Sequence, residues 1–251
     1  MSSVRDASPA QRRHRLLASA VVHLLLMLSV IIPTRNDERT LVPTLSSLVA
    51  GAADGVVRDV TLADGGSTDG TLEIADLAGC NVVGGFADRA GRLNAAVRRA
   101  KSQWILFLEP GVVLGEGWRH EVRSFVEMVE RRGEENQRAA VFAFGLDGFG
   151  ARARAVERLA ALSAALTGLP KPEQGLLIHA SLYARIGGFR SIPAMAEADL
   201  IRRIGRGRIV RLRSLALAPR LRRPFAGPRA ALGAGLLMLR VPPRLVSRLY
   251  S

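Results

Sequence analysis

From Leu28 onward the chain alternates apolar, β-rich runs with helix-like segments, and the first two runs each stop at a polar turn. Leu28-Ser-Val-Ile-Ile-Pro33 stops at Thr34-Arg-Asn-Asp-Glu38, and Val56–Ala63 stops at Asp64-Gly-Gly-Ser-Thr-Asp-Gly70. A parallel neighbour can be reached only through a crossover, so strands alternating with helices of about 10–15 residues specify a mostly parallel sheet flanked by helices. The pattern predicts strands over Leu28–Pro33, Val56–Ala63, Asn81–Val83, Trp104–Leu108, Ala139–Phe144 and Arg208–Ala218. It predicts helices over Thr40–Ala50, Thr71–Ala78, Asp88–Ala100, Glu116–Arg131, Ala151–Leu166 and 196–204. Thr40 is the expected N-cap of the first helix, with Pro43 in its first turn.

The residues before the first strand pose a membrane question. Residues 1–15 carry Arg5, Arg12, Arg13 and Arg15, and an apolar run follows from Leu16 to Ile32. Read alone, that run resembles a signal anchor. Assigning Leu28–Pro33 to a buried strand leaves too few apolar residues for the ~20 that a spanning helix needs. Residues 1–26 are therefore expected to be an N-terminal extension, with Met27 a candidate start.

Charge divides the chain. Residues 151–251 hold 19 Lys/Arg and 4 Asp/Glu, whereas residues 1–150 hold 17 and 18. A basic half calls for an anionic partner such as nucleic acid, lipid head groups or a phosphorylated substrate. Only two Trp and two Tyr make a base-stacking nucleic-acid surface a poor fit. From Arg202 to Arg229 there are ten arginines and no acid. Residues 229–251 are apolar but interrupted by Arg240, Arg244 and Arg248, which suits either a helix in an anionic membrane interface or a packed helix with a solvated face. A single cysteine, Cys80, excludes an internal disulfide and fits a reducing compartment. The expected location is the cytoplasm, with peripheral attachment at the inner face of the plasma membrane.

In an open parallel sheet, ligands bind outside the C-terminal ends of the strands. Two polar turns at two such ends make a site. A capping turn alone needs Ser67, Thr68 and Asp69, but not Asp64 at the strand end or the turn after Pro33. No P-loop or GxGxxG fingerprint follows a strand, and none of the pairs among His14, His23, His120 and His179 has metal-ligand spacing. His179 follows closely on the segment Gln174-Gly175. Gly84-Gly85 and Gly187-Gly188 read as turns.

Ser29-Val-Ile-Ile-Pro-Thr-Arg-Asn-Asp37 followed by Asp64-Gly-Gly-Ser-Thr-Asp-Gly-Thr71 resembles a family 2 glycosyltransferase with the GT-A fold, a Rossmann-like α/β architecture. The likeness runs from Met27 to Tyr250 and is strongest to the bacterial selenodomain-associated transferase 2 type. Arg89-Ala-Gly-Arg-Leu-Asn-Ala95, Leu169 to Gly175, Gly187-Gly-Phe189 and Arg202-Arg203 are collinear with that branch. The resemblance implies a catalytic GT-A domain, expected over 27–228, and the composition that follows it a basic apolar tail over 229–251. It implies transfer of a sugar from a nucleoside-diphosphate donor; the acceptor is expected to be a glycan, lipid or small-molecule hydroxyl, and the expected stereochemistry is inversion.

The same resemblance assigns residues. Pro33, Asn36, Asp37, Asp64, Gly65, Ser67 and Asp69 fall in the nucleotide-sugar segments, with Asp37 near the nucleoside and Asp64 at the base. Arg89 and Asn94 fall in the basic segment beside the diphosphate, where bidentate arginine suits a pyrophosphate leaving group. Gln174 and Gly175 fall on the acceptor side. Glu197 is the expected catalytic base, with Asp199 second; Arg202 and Arg203 are offered as cations for the leaving diphosphate or as lipid-facing residues. The family's Asp-x-Asp, which holds Mg²⁺ or Mn²⁺, is here Glu109-Pro110-Gly111, leaving Glu109 as the one remaining carboxylate. A non-catalytic relative that binds a nucleotide sugar or a partner is the competing expectation. A nucleic-acid-binding protein, suggested by charge alone, is the third.

Overall fold

The computed structural model describes residues 28–146, 170–192 and 196–219. The expected N-terminal extension, the helix over 151–166 and the tail over 229–251 lie outside the described residues.

Strand β1 (Leu28–Thr34) is buried at every position. An uninterrupted apolar run is what a strand covered on both faces requires. Parallel β2 (Val57–Asp64) flanks it on one side, in register from Ser29↔Asp59 to Thr34↔Asp64. Parallel β4 (Trp104–Phe107) flanks it on the other. Between them in sequence come α1 (Glu38–Ala53), α2 (Thr71–Leu77), β3 (Asn81–Val83) and α3 (Arg89–Arg99). The chain thus runs outward through β2 and β3, then α3 carries it back across to β4 on the far side of β1. Strand order reverses between β1 and β4, and the crevice at their C-terminal ends is where such a sheet takes ligands.

The second half adds β5 (Val113–Leu114), α4 (Trp118–Arg132), β6 (Ala139–Leu146), β7 (Leu176–His179), α5 (Ala180–Arg185), α6 (Ala196–Ile204) and β8 (Ile209–Ala218). The eight strands are ordered β3-β2-β1-β4-β7-β6-β8-β5. Strand β7 runs antiparallel to β4 and β6, β6 and β8 are parallel, and β5 is antiparallel to β8. Period-two alternation sorts the core by face. Val30 and Ile32 pack with Leu41, Leu48, Trp118 and Phe125 under α1 and α4. Ile31 and Ile105 pack with Leu93, Leu182 and Leu200 under α3, α5 and α6.

Where the β6–β8 ladder slips between Val141 and Ala143, Glu121 of α4 accepts the backbone N–H groups of Arg213 at 2.5 Å and Ser214 at 2.6 Å. Burial pushes the Glu121 carboxyl up, but these bonds and the Ser214 hydroxyl hold it below the usual range.

Two expectations need correction. Helix α1 starts at Glu38, two residues before the expected cap: Asp37 occupies the N-cap position, and Thr40 Oγ1 bonds back to the Asp37 carbonyl at 3.2 Å. Pro43 therefore lies beyond the first turn. The short β5 and β7 escape a reading by alternation because two- and four-residue strands carry too little pattern. Among the described residues, no helix is long and apolar enough to cross a membrane.

Candidate active site

The two polar turns after β1 and β2 are bonded into one unit. Asp64, 4% exposed, accepts four hydrogen bonds. Thr34 Oγ1 (3.0 Å) and Ser67 Oγ (2.5 Å) donate to one carboxylate oxygen, and the Gly66 and Ser67 N–H groups (both 2.9 Å) to the other. Burial alone would raise the Asp64 pKa; bonds from Ser67, Gly66 and Thr34 outweigh it and hold the carboxyl below its ordinary value. Around this anchor the turns exchange backbone and side-chain bonds. The Asn36 N–H donates to Ser67 Oγ, Thr68 N–H to Asn36 Oδ1, Asp37 N–H to Thr71 Oγ1 and Gly70 N–H to Glu38 Oε2. Asn36 sits at φ 55, a left-handed conformation that asparagine tolerates. Asp69 caps its own turn: its carboxylate accepts from Thr71 Oγ1 at 2.5 Å and from the Glu38 N–H at 3.2 Å. Asp37 likewise accepts from the Arg35 N–H and Thr40 Oγ1.

Next to this unit, a pocket opens at the C-terminal ends of β1 and β4. Pro33, Phe107, Leu108 and Glu109 line it from those strands, Arg89 and Leu93 from α3, Gly175 and Leu176 from the start of β7, and Glu197, Leu200 and Ile201 from α6. Three charged groups bond to one another in it, and Lys171 also lines it. Arg89 Nε donates to Glu197 Oε1 at 2.8 Å, and Arg89 Nη2 donates to Glu109 Oε1. Glu109 is buried, while Arg89 and Glu197 are partly exposed. Burial works against the Arg89 charge, yet the two carboxylates more than offset it and raise its pKa above the ordinary value. Arg89 is held at the start of α3 by the cap that precedes it, where Asp88 Oδ1 accepts the Gly91 N–H at 3.1 Å.

Gly175 reaches the pocket because it alone fits there. Its φ of 62° and ψ of 158° suit only glycine, and a Cβ would meet the Phe107 carbonyl at 3.3 Å. It turns the chain from the 3-10 turn at Pro172–Gln174 into β7.

Four expected site residues are committed elsewhere. Asn94 does not face the pocket. Its Nδ2 donates to the Phe189 carbonyl at 2.9 Å, and its Oδ1 accepts the Tyr183 hydroxyl at 2.6 Å and the Phe189 N–H at 3.1 Å. Burial pushes the Tyr183 phenol up to about 12, so it stays a donor to Asn94. Gln174, 2% exposed, braces its own turn: Oε1 accepts the Lys171 N–H and Nε2 donates to the Phe142 carbonyl at 2.7 Å. Asp199 is buried against Arg203, with Nε to Oδ2 at 2.8 Å. Arg203 in turn donates to the carbonyls of Ile186 and Gly188. The pair holds the Gly187-Gly188 turn, where both residues have positive φ, and Arg203 faces neither lipid nor the pocket.

His179 is not near the acceptor side. Because β7 is antiparallel to β4, Leu176 pairs with Phe107 beside the pocket and His179 pairs with Trp104 at the opposite end. There its Nδ1 lies 2.8 Å from Ser181 Oγ, and it caps α5. Thr34 is a residue the sequence reading passed over. Its pairing with Asp64 follows from two parallel strands ending in register.

The residues present do not fit a divalent ion. Mg²⁺ and Mn²⁺ seek several oxygen ligands. Here the expected pair is reduced to Glu109, whose carboxylate is already paired with a guanidinium, and Gly111 offers no side chain. Among the described residues, no group of three His, Cys, Asp or Glu side chains is placed to hold a metal.

Residues 29–110 match the family described as Glycosyl transferase family 2. That match spans β1 to Pro110, and so takes in both polar turns, Arg89 and Glu109. No curated protein matches the chain. Among solved structures, the mannosyltransferase PcManGT from Pyrobaculum calidifontis, in complex with GDP-Man and Mn²⁺, is similar at 17% identity and TM-score 0.60, over 89% of this chain and 69% of that one. S. aureus TarS 1-349 in complex with UDP-GlcNAc is similar at 15% identity and TM-score 0.57, over 89% and 70%. M. tuberculosis glucosyl-3-phosphoglycerate synthase is similar at 18% identity and TM-score 0.56, over 91% and 85%. The fold is GT-A: a mixed α/β sheet, mostly parallel, flanked by helices.

Proposed function

We propose that this chain transfers a sugar from a nucleoside-diphosphate donor to an acceptor hydroxyl, with inversion at the anomeric carbon. The observation that carries the reading is the meeting of Arg89, Glu109 and Glu197 in one pocket at the β1/β4 switch point, inside and beside the family 2 segment. The structural neighbours bound to UDP-GlcNAc and GDP-Man support a nucleotide-sugar donor.

In this reading the nucleoside lies over the turns after β1 and β2, with Asn36, Asp37, Gly65, Ser67 and Asp69 forming the floor. Asp64 acts through that floor, since its four acceptor positions are filled from within. The diphosphate points toward Arg89. The acceptor enters past Gly175, and Glu197 takes the proton of its hydroxyl. The acceptor oxygen forms the new bond to the anomeric carbon as the bond from that carbon to the diphosphate oxygen breaks. The electron pair leaves on the diphosphate, which is released as the nucleoside diphosphate. Leu93, Phe107, Leu200 and Ile201 supply apolar walls that exclude water, the competing acceptor.

Placement in the selenodomain-associated branch, and action at an anionic membrane face, belong to the same proposal. The branch rests on the collinear segments Arg89–Ala95 and Gly187–Phe189, and the membrane face on the apolar, arginine-interrupted sequence of residues 229–251. The test is a screen of UDP- and GDP-sugars for donor hydrolysis and transfer, with binding followed by calorimetry. Turnover of one donor that Glu197→Gln abolishes is the expected result. Binding without turnover of any donor would favour a non-catalytic role.

A further inference from the structure

We infer that the guanidinium of Arg89 takes the place of the divalent metal at the donor diphosphate, so that this site binds and releases a diphosphate without a metal ion. The inference rests on the sugar-transfer reading only for the identity of the donor.

The first argument is the position of Arg89. It lies between Glu109, the carboxylate left at the expected metal motif, and Glu197 across the pocket. A cation set between the last metal-motif carboxylate and the opposite wall of the pocket stands where a bound ion would stand. A metal taking Glu109 as ligand must displace the guanidinium from a buried carboxylate and would then stand beside that retained positive charge. The guanidinium uses Nε for Glu197 and Nη2 for Glu109. Nη1 makes no hydrogen bond among the described residues, so N–H donors remain for phosphate oxygens.

The second argument is that the metal motif is built against recovery. Gly111 has φ 89°, its N–H is held by Thr44 Oγ1 at 2.8 Å, and a Cβ there would lie 2.8 Å from Pro219 Cγ. This loop is shaped for a residue with no side chain, so no second carboxylate can come from it. Pro110 contributes no side-chain oxygen either.

The third argument is a second arginine one turn along the same helix face. Arg92 lies three residues after Arg89, so both project from the first turn of α3. Its Nη2 lies 3.1 Å from where a Cβ on Gly65 would sit, and its Nη1 donates to the Phe86 carbonyl at 3.2 Å. Its Nε is buried with no hydrogen-bond partner among the described residues. An orphaned guanidinium N–H beside the strand-end loop is a donor that an anion would satisfy.

The test uses three probes: inorganic pyrophosphate, UDP and GDP. Each is titrated calorimetrically into the full chain in excess EDTA and again in Mn²⁺, and free Mn²⁺ is followed by electron paramagnetic resonance. We expect pyrophosphate and at least one nucleotide to bind equally in both buffers, with the free Mn²⁺ signal undiminished by the protein. Arg89→Gln should weaken binding by about tenfold to a hundredfold, the range for losing a charged hydrogen-bond donor. Glu109→Gln keeps the volume of the pocket and decides between the two cations. It removes a metal ligand but frees Arg89, so binding should stay equal or tighten, with an unchanged circular dichroism spectrum as control. Stronger binding in Mn²⁺, or weaker binding in Glu109→Gln, overturns the inference and leaves sugar transfer standing. Binding of pyrophosphate without either nucleotide keeps Arg89 as the anion site and overturns the choice of donor. No binding of any probe overturns the inference.

Discussion

Arg89 Nε and Glu197 Oε1 stand 2.8 Å apart, although 108 residues separate them in the chain. The bond ties the first turn of α3 to the first turn of α6, and it orients a carboxylate that lines the pocket. In the proposed reaction Arg89 is shared between the carboxylate that takes the proton and the diphosphate that leaves. In that reaction the phosphate oxygens take the N–H donors that Glu197 and Glu109 leave open.

Glu197→Gln should lower kcat by about 10²–10⁴-fold, the usual worth of a general base, while leaving donor affinity within a few-fold. The amide still accepts from Arg89 but cannot take a proton. Steady-state kinetics paired with calorimetric donor binding separates the two effects. Equal losses in both would mean that Glu197 holds the donor rather than acting as base.

Asp199→Asn should behave differently. Asp199 and Arg203 form a buried pair that braces the Ile186–Gly188 carbonyls. Breaking a buried pair leaves a charge uncompensated and costs about 3–5 kcal/mol. The expected outcome is a clear drop in the thermal midpoint, with kcat for the folded fraction near wild type. A loss of kcat at unchanged stability would return Asp199 to the list of candidate bases.

Much of this was legible in the chain itself. The buried β1 run and the strand-end turns follow from local pattern, because β1 is buried at every position and the turns after β1 and β2 are polar. The pairing of Thr34 with Asp64 would have followed from register alone. What pattern does not show is which polar side chains are consumed internally. Asn94, Gln174 and Asp199 each carry a residue type suited to a site, and each is spent on backbone carbonyls or an arginine brought near by distant segments. The reversal of β7 is equally hidden, since four residues carry no direction, and it moves His179 from the expected acceptor side to the far end of the sheet.

Stability should fall with acid through the strand-end anchor. The folded-state pKa of Asp64 is depressed below its ordinary 3.8. A depressed carboxylate contributes stability that is fully present above the unfolded value and is lost as pH falls through the folded one. Thermal midpoints of wild type should therefore drop steeply below about pH 4. Asp64→Asn should lose about 1–3 kcal/mol at neutral pH, because an amide cannot accept at all four positions, and its midpoint should vary less across the acid range. Parallel curves for the two proteins would show that Asp64 is not the titrating anchor.

Gly111→Asp is the substitution that a reader of the metal motif would choose to restore activity with Mn²⁺, and the structure predicts that it fails. The residue would have to adopt φ 89°, a conformation that costs a non-glycine residue about 1–3 kcal/mol. Its Cβ would also press on Pro219 Cγ at 2.8 Å, with Thr40 Cβ already in contact at 3.4 Å. The added carboxylate would still find Glu109 paired with Arg89. The expected result is a lower thermal midpoint with no gain in Mn²⁺ binding by paramagnetic resonance. A stable variant that binds Mn²⁺ and turns over faster with it would show that the loop can relax, and that the glycine is a lost ligand rather than a fixed feature of an arginine-based site.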